Sequence, residues 1–221
     1  MSLRELASGR RGVARGQATS AVVFVHGYGA DGADLLDIAD VLAPHLPNAA
    51  FFAPDAPEPS RNNPFGRQWF PIPWLDGSSE AEAKAGMSQS VNDLNAFLDA
   101  RLEDEGLEPA ALALVGFSQG AMMSLHIAPR RDVAVAGVVA ISGRLLVPER
   151  LAAEVRVKPP VLLVHGDRDE VVPFEDMGLA GDALSRAGFA TYAHVMKGMG
   201  HGISNDGLGV TLSFLKEMLP A

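Results

Sequence analysis

The sequence predicts a doubly wound α/β sandwich, and three observations carry that reading. Apolar runs of strand length recur along the chain, they are near-continuous and valine-rich, and the segments between them have helical character. A run with no polar face suits a strand of a parallel sheet covered on both sides, and alternation of strand with helix suits crossover connections. In order, the expected strands are AVVFVHG (21–27), AAFFAP (49–54), ALALVGFS (111–118), VAGVVAISG (135–143), PVLLVHGD (160–167) and ATYAHVM (190–196). From Ser88 onward Val91, Leu94, Leu98 and Leu102 follow one helical stripe until Gly106 stops it. A second helix is predicted over 119–128, closed by Pro129, and a last one over about 208–219.

One segment breaks the rhythm. Between Pro54 and Glu80 lie Pro57, Pro59, Pro64, Pro71 and Pro73 with both tryptophans, Trp69 and Trp74. Prolines at this density remove too many amide donors for a central strand or a regular helix, so a long ordered loop is expected. It is either a surface excursion packed by its own aromatics or a wall or partial lid over a pocket.

The chain has 221 residues, 48 % of them hydrophobic, which suffices for one compact domain. Residues 1–20 carry Arg4, Arg10, Arg11 and Arg15 without an apolar stretch of signal-peptide length, and read as a partly ordered leader. There is no cysteine, so disulfides, thiolate metal sites and a cysteine nucleophile are excluded, and a reducing cytoplasmic setting fits. No run approaches a membrane span, so stable membrane insertion is not expected. A net charge of −9 disfavours nucleic acid and anionic membrane surfaces and points to a neutral or small substrate.

The chemistry centres on Gly116-Phe117-Ser118-Gln119-Gly120, a G-x-S-x-G pentapeptide. A good buried strand precedes it and a good buried helix follows, the setting a nucleophile elbow requires. The glycines let strand and helix approach while the serine oxygen stands clear at the tip of the sheet. A serine that merely caps the helix, with glycines for packing, is the plainer alternative. A serine hydroxyl needs a base, and the base needs an orienting acid. Asp167 and Asp169 follow the 160–167 strand, and His201 lies in the glycine-rich GMGHGIS before the last helix. Asp169 is preferred because the H-G-x-x-D spacing lets the turn finish before the acid is presented, while Asp167 suits a bond to its own loop backbone.

His26, His45, His126, His165 and His194 read as structural histidines, and the cluster His26, His165, Asp167, Asp169, His201 lacks the tight spacing of a metal site, so no metal is expected. Donors for an oxyanion are expected from the amide of Gln119 and from the HGYGADG loop, where Tyr28 is chosen. Phe65, Trp69, Phe70, Ile72 and Trp74 could wall an apolar acyl site with Met199, Met122 or Met123 as adaptable filler, although core packing is the plainer role for the methionines beside the elbow.

Six motifs in register, VVFVHGYGADG, FFAPDAPEPSRNNPFGRQWFPI, GFSQGAMMSL, ISGRLL, VLLVHGDRDEVVP and GMGHGIS, make the chain resemble the bacterial phospholipase/carboxylesterases of the α/β-hydrolase family, a group that includes acyl-protein thioesterases. The resemblance covers nearly the whole chain from about Ala21. It implies an α/β-hydrolase fold over 21–221 without a large cap domain, a cofactor-free serine esterase acting on a small-molecule ester, and a possible homodimer. By resemblance Ser118 is the nucleophile, Asp169 the orienting acid, His201 the base, and Tyr28 and Gln119 the oxyanion amides. Ala121 stands where this family commonly has a second glycine, and Tyr28 where thioesterase relatives tend to carry leucine, which argues against long acyl-protein substrates. The expected activity is hydrolysis of short- to medium-chain carboxylic esters. A thioesterase or lysophospholipase using the same triad is the alternative, and a non-catalytic ligand-binding protein the distant one.

Overall fold

The computed structural model describes residues 2–220. In chain order the elements are β1 (Ser8–Gly12), β2 (Ser20–Val25), α1 (Gly32–Leu42), β3 (Ala49–Pro54), β4 (Glu58–Pro59), β5 (Arg67–Gln68), α2 (Pro73–Asp76), α3 (Glu80–Glu105), β6 (Leu112–Phe117), α4 (Gln119–Ile127), β7 (Gly137–Ile141), α5 (Pro148–Glu154), β8 (Val161–Gly166), α6 (Glu175–Arg186), β9 (Thr191–Met196) and α7 (Asn205–Met218). Seven strands form one sheet in the order β1-β3-β2-β6-β7-β8-β9. All neighbours pair in parallel except β1, which runs antiparallel to β3 from Ser8 opposite Pro54 to Gly12 opposite Ala50.

Both faces of the sheet are covered, which explains why its central strands read as unbroken apolar runs. Along β2, Val22 and Phe24 point to a layer with Leu36 and Ala39 of α1 and Phe214 and Leu215 of α7. Val23 and Val25 point to the other layer, with Leu94 and Leu98 of α3, Met123 of α4 and Leu184 of α6. All four β2 side chains are fully buried, each contributing about 1.5–3 kcal/mol of apolar burial.

The helix predicted from Ser88 begins earlier, at Glu80. Ser79 caps it by accepting the Glu82 amide while the Glu82 carboxylate accepts the Ser79 amide, a reciprocal box that starts the helix before any apolar stripe appears. Gly106 closes it in the left-handed conformation (φ 68°).

Part of the stretch read as a leader belongs to the sheet, since β1 forms its edge. Its sequence SGRRG has no apolar periodicity because the strand is mostly exposed. Upstream, the Arg4 guanidinium donates to Asp93 (Nε to Oδ2, 2.7 Å), and Arg4 N donates to Asp93 Oδ1 at 2.9 Å. Asp93 is fully buried on α3, so these donors satisfy a carboxylate that has no access to water.

The 54–80 segment has little regular structure, as its prolines require: the two-residue strands β4 and β5 and the single turn α2. Its tethering is dense. Gly29 N donates to Arg67 O and Arg67 N to Ala30 O, both at 2.8 Å, which stitch it to the loop after β2.

Candidate active site

Ser118 sits between β6 and α4 with φ 53° and ψ −117°. The turn is closed by Ser118 N donating to Ile141 O at 2.8 Å and Met122 N donating to Ser118 O at 3.1 Å. The flanking glycines are sterically required. A Cβ on Gly116 would overlap the Gly120 carbonyl, and one on Gly120 would overlap the backbone of Val25 in β2. Gly27 lies close as well, with a Cβ there meeting the Ser118 Cβ at 3.2 Å, a tight but milder contact. The chain before Tyr28 thus passes directly beside the serine.

His201 reaches Ser118 Oγ through Nε2 at 3.0 Å and Asp169 Oδ2 through Nδ1 at 2.7 Å. An ionised carboxylate only accepts, so Nδ1 carries the hydrogen and Nε2 presents a lone pair to the hydroxyl. Asp169 is buried, which by itself would raise its pKa. Hydrogen bonds from His201 and from the amides of Val172 and Val171 outweigh that burial and hold the carboxyl below its usual range. His165, itself buried, stands beside the carboxylate while donating to the Val172 carbonyl. Its Nε2 lies 3.0 Å from Val172 O and 3.3 Å from Asp169 Oδ2. Asp167, expected to bond its own loop, instead accepts from Gly198 N at 2.6 Å and so ties down the loop that carries His201.

Of the expected oxyanion donors, Gln119 is the first residue of α4, where an amide has no carbonyl one turn back within its helix. Tyr28 follows Gly27 in the adjacent loop, and its hydroxyl donates to Asp76 Oδ2 of α2 at 3.2 Å. His26 fixes that loop from below: Nε2 accepts from Ala56 N at 2.9 Å, and Nδ1 donates to Gly27 O at 2.8 Å. Burial lowers the His26 pKa, which suits a ring whose Nε2 must stay free to accept.

The expected acyl wall divides. Trp69 does not line an open pocket. It is fully buried, lies tilted against His26 (5.5 Å between rings) and donates from Nε1 to His26 O at 3.0 Å. Phe70 is buried beside it. The reason is a residue whose side chain drew no attention in the sequence. Gln119 accepts from Trp69 N and donates to Phe70 O, both at 2.8 Å, clamping the 54–80 loop to α4. Phe65 and Trp74 are strongly exposed, at 91 % and 78 %, and Met199 packs partly buried against the core under α7. The Phe117 ring lies 5.0 Å from that of His201. Among the described residues no three His, Asp or Glu side chains gather as metal ligands, and no helix is long and apolar enough to cross a membrane.

The sequence pattern of the phospholipase/carboxylesterase family matches residues 13–219. The chain belongs to that family. A chain of known structure, esterase PE8, is 40 % identical, with a TM-score of 0.92 over 98 % of this chain and 100 % of that one. A probable carboxylesterase of Oryza sativa subsp. japonica is 33 % identical over 91 % of this chain and 79 % of its own length. Acyl-protein thioesterase 1 homolog 1 of Dictyostelium discoideum is 27 % identical over 91 % of this chain and 92 % of its own. This family member is therefore an α/β hydrolase acting on ester bonds.

Proposed function

We propose that the chain is a serine carboxylesterase, hydrolysing short- to medium-chain carboxylic esters through an acyl-enzyme on Ser118. The observation that carries this is His201 spanning Ser118 Oγ at 3.0 Å and Asp169 at 2.7 Å. In this mechanism His201 Nε2 takes the Ser118 proton as Oγ attacks the ester carbonyl, and Asp169 stabilises the imidazolium that forms. The negative charge on the former carbonyl oxygen is met by the amides of Tyr28 and Gln119. His201 then returns the proton to the departing alcohol. Water, deprotonated by the same nitrogen, attacks the acyl-enzyme, releases the carboxylate and restores Ser118.

We assign acyl contact to Phe65 and Trp74, which are strongly exposed, and to Met199, two residues before His201. The same geometry cleaves thioesters, and several relatives are named acyl-protein thioesterases; oxygen and sulfur esters of one acid separate the two activities. The test is initial rates on p-nitrophenyl esters from acetyl to palmitoyl for the native protein and Ser118→Ala. The expected result is a short-chain optimum and a loss of about three orders of magnitude or more in the variant. Near-native rates in Ser118→Ala would refute the assignment.

A further inference from the structure

We propose that Arg144 is a specificity-determining residue that receives a carboxylate at the far end of the acyl group, so that the preferred substrates are half-esters of dicarboxylic acids. The inference rests on the esterase reading above and adds a substrate class to it.

The position of Arg144 follows from the sheet order. Strands β2, β6 and β7 are consecutive neighbours, and the loops beyond them carry Tyr28, Ser118 and Arg144 respectively. Gly143 packs its backbone on the elbow, where a Cβ would sit 3.0 Å from Ser118 O. The single turn α2 touches both outer loops. Asp76 accepts from the Tyr28 hydroxyl, and the Trp74 ring stands 6.0 Å from the Arg144 guanidinium. A bridge from the β2 loop to the β7 loop crosses the end of β6, so Trp74 and Arg144 flank the approach to Ser118.

The guanidinium is anchored there and partly exposed. Among the described residues its ionic neighbour is Asp176 at the start of α6, 2.7 Å from a terminal nitrogen, which holds the group from the α6 side. Its Nε is buried and has no hydrogen-bond partner among the described residues. One third of the Arg144 side chain remains exposed. A planar cation anchored on one side by a carboxylate, partly exposed on the other and 6.0 Å from an aromatic ring beside the elbow can take a substrate carboxylate through its remaining terminal N–H donors. Trp74, 78 % exposed, offers its face to the methylenes between the scissile ester and that carboxylate.

The experiment compares mono-p-nitrophenyl glutarate with p-nitrophenyl 4-carbamoylbutanoate, which replaces the carboxylate by a neutral amide of nearly the same shape. The native protein is expected to favour the half-ester in kcat/KM by about ten-fold or more. Arg144→Gln should erase that preference, chiefly through KM, while the amide ester stays within about three-fold, and Arg144→Lys should restore part of it. Equal native rates on the two esters, or an equal loss on both in Arg144→Gln, would overturn the proposal, the second by making Arg144 a support for Trp74 only. The native comparison needs no variant and decides even where a substitution impairs folding. Silence on both esters, with native and Ser118→Ala proteins alike, would instead overturn the esterase reading itself.

Discussion

Replacing Gln119 by leucine separates what its side chain does from what its amide does. The side chain is 1 % exposed and satisfies two buried backbone groups, Trp69 N and Phe70 O, at 2.8 Å each. Leucine of similar size leaves both unpaired, at about 1–3 kcal/mol apiece, and its extra apolar contact recovers about 1 kcal/mol. The expected loss is therefore about 3 kcal/mol, which for a domain of this length lowers the melting temperature by about 6–12 °C. Thermal unfolding followed by circular dichroism measures the loss directly. Limited proteolysis locates it, because cleavage should concentrate within 54–80 once the clamp is gone. A melting temperature within about 2 °C of native, with that loop still resistant, would refute the view that Gln119 holds the loop.

Two further outcomes follow from the same contacts. Asp169→Asn should lower kcat by about 10³–10⁴-fold, since an amide favours the wrong imidazole tautomer, whereas Asp167→Asn, which alters only the tether to Gly198, should stay within about ten-fold; steady-state rates on one ester compare them. His126 on α4 is held neutral by burial and by the Arg130 guanidinium, which lower its pKa to about 4. A depressed histidine destabilises the fold as pH falls, because below 6.5 the unfolded chain takes up a proton that the folded chain refuses. Melting temperature should thus decline from about pH 6.5 to pH 4, and His126→Gln should flatten that decline; identical pH profiles would contradict it.

Strands β2, β3, β6, β7 and β8 were legible because a doubly covered parallel sheet demands continuous apolar runs bounded by glycine and proline, while the half-exposed edge strand β9 showed only as the short run ATYAHVM. Edge strand β1 left no such trace: it is exposed, and its place depends on pairing with β3, a partner distant along the chain, Ser8 opposite Pro54. The start of α3 was missed because its first two turns, EAEAKAG, are polar, although Ser79 and Glu82 spell the capping box. At the site, Ser118, Asp169 and His201 could be picked out because each lies in a turn just beyond a strand, and the structure brings them into one hydrogen-bonded line. The clamp through Gln119 and the burial of Trp69 were not legible, since a glutamine beside a nucleophile draws attention to its amide alone. Trp69 looked like a pocket wall for lack of any sign of which partner its indole N–H would find.

Ser118 and Ser142 both hold positive φ, at 53° and 50°, at the ends of adjacent strands. For a side-chain-bearing residue such conformations cost about 1–3 kcal/mol, a penalty that glycine escapes. The elbow is therefore a place where thermodynamic optimisation and activity pull apart: on the proposed mechanism, a glycine at 118 would relax the turn and remove the nucleophile in the same step, a stability–activity trade-off written into the backbone.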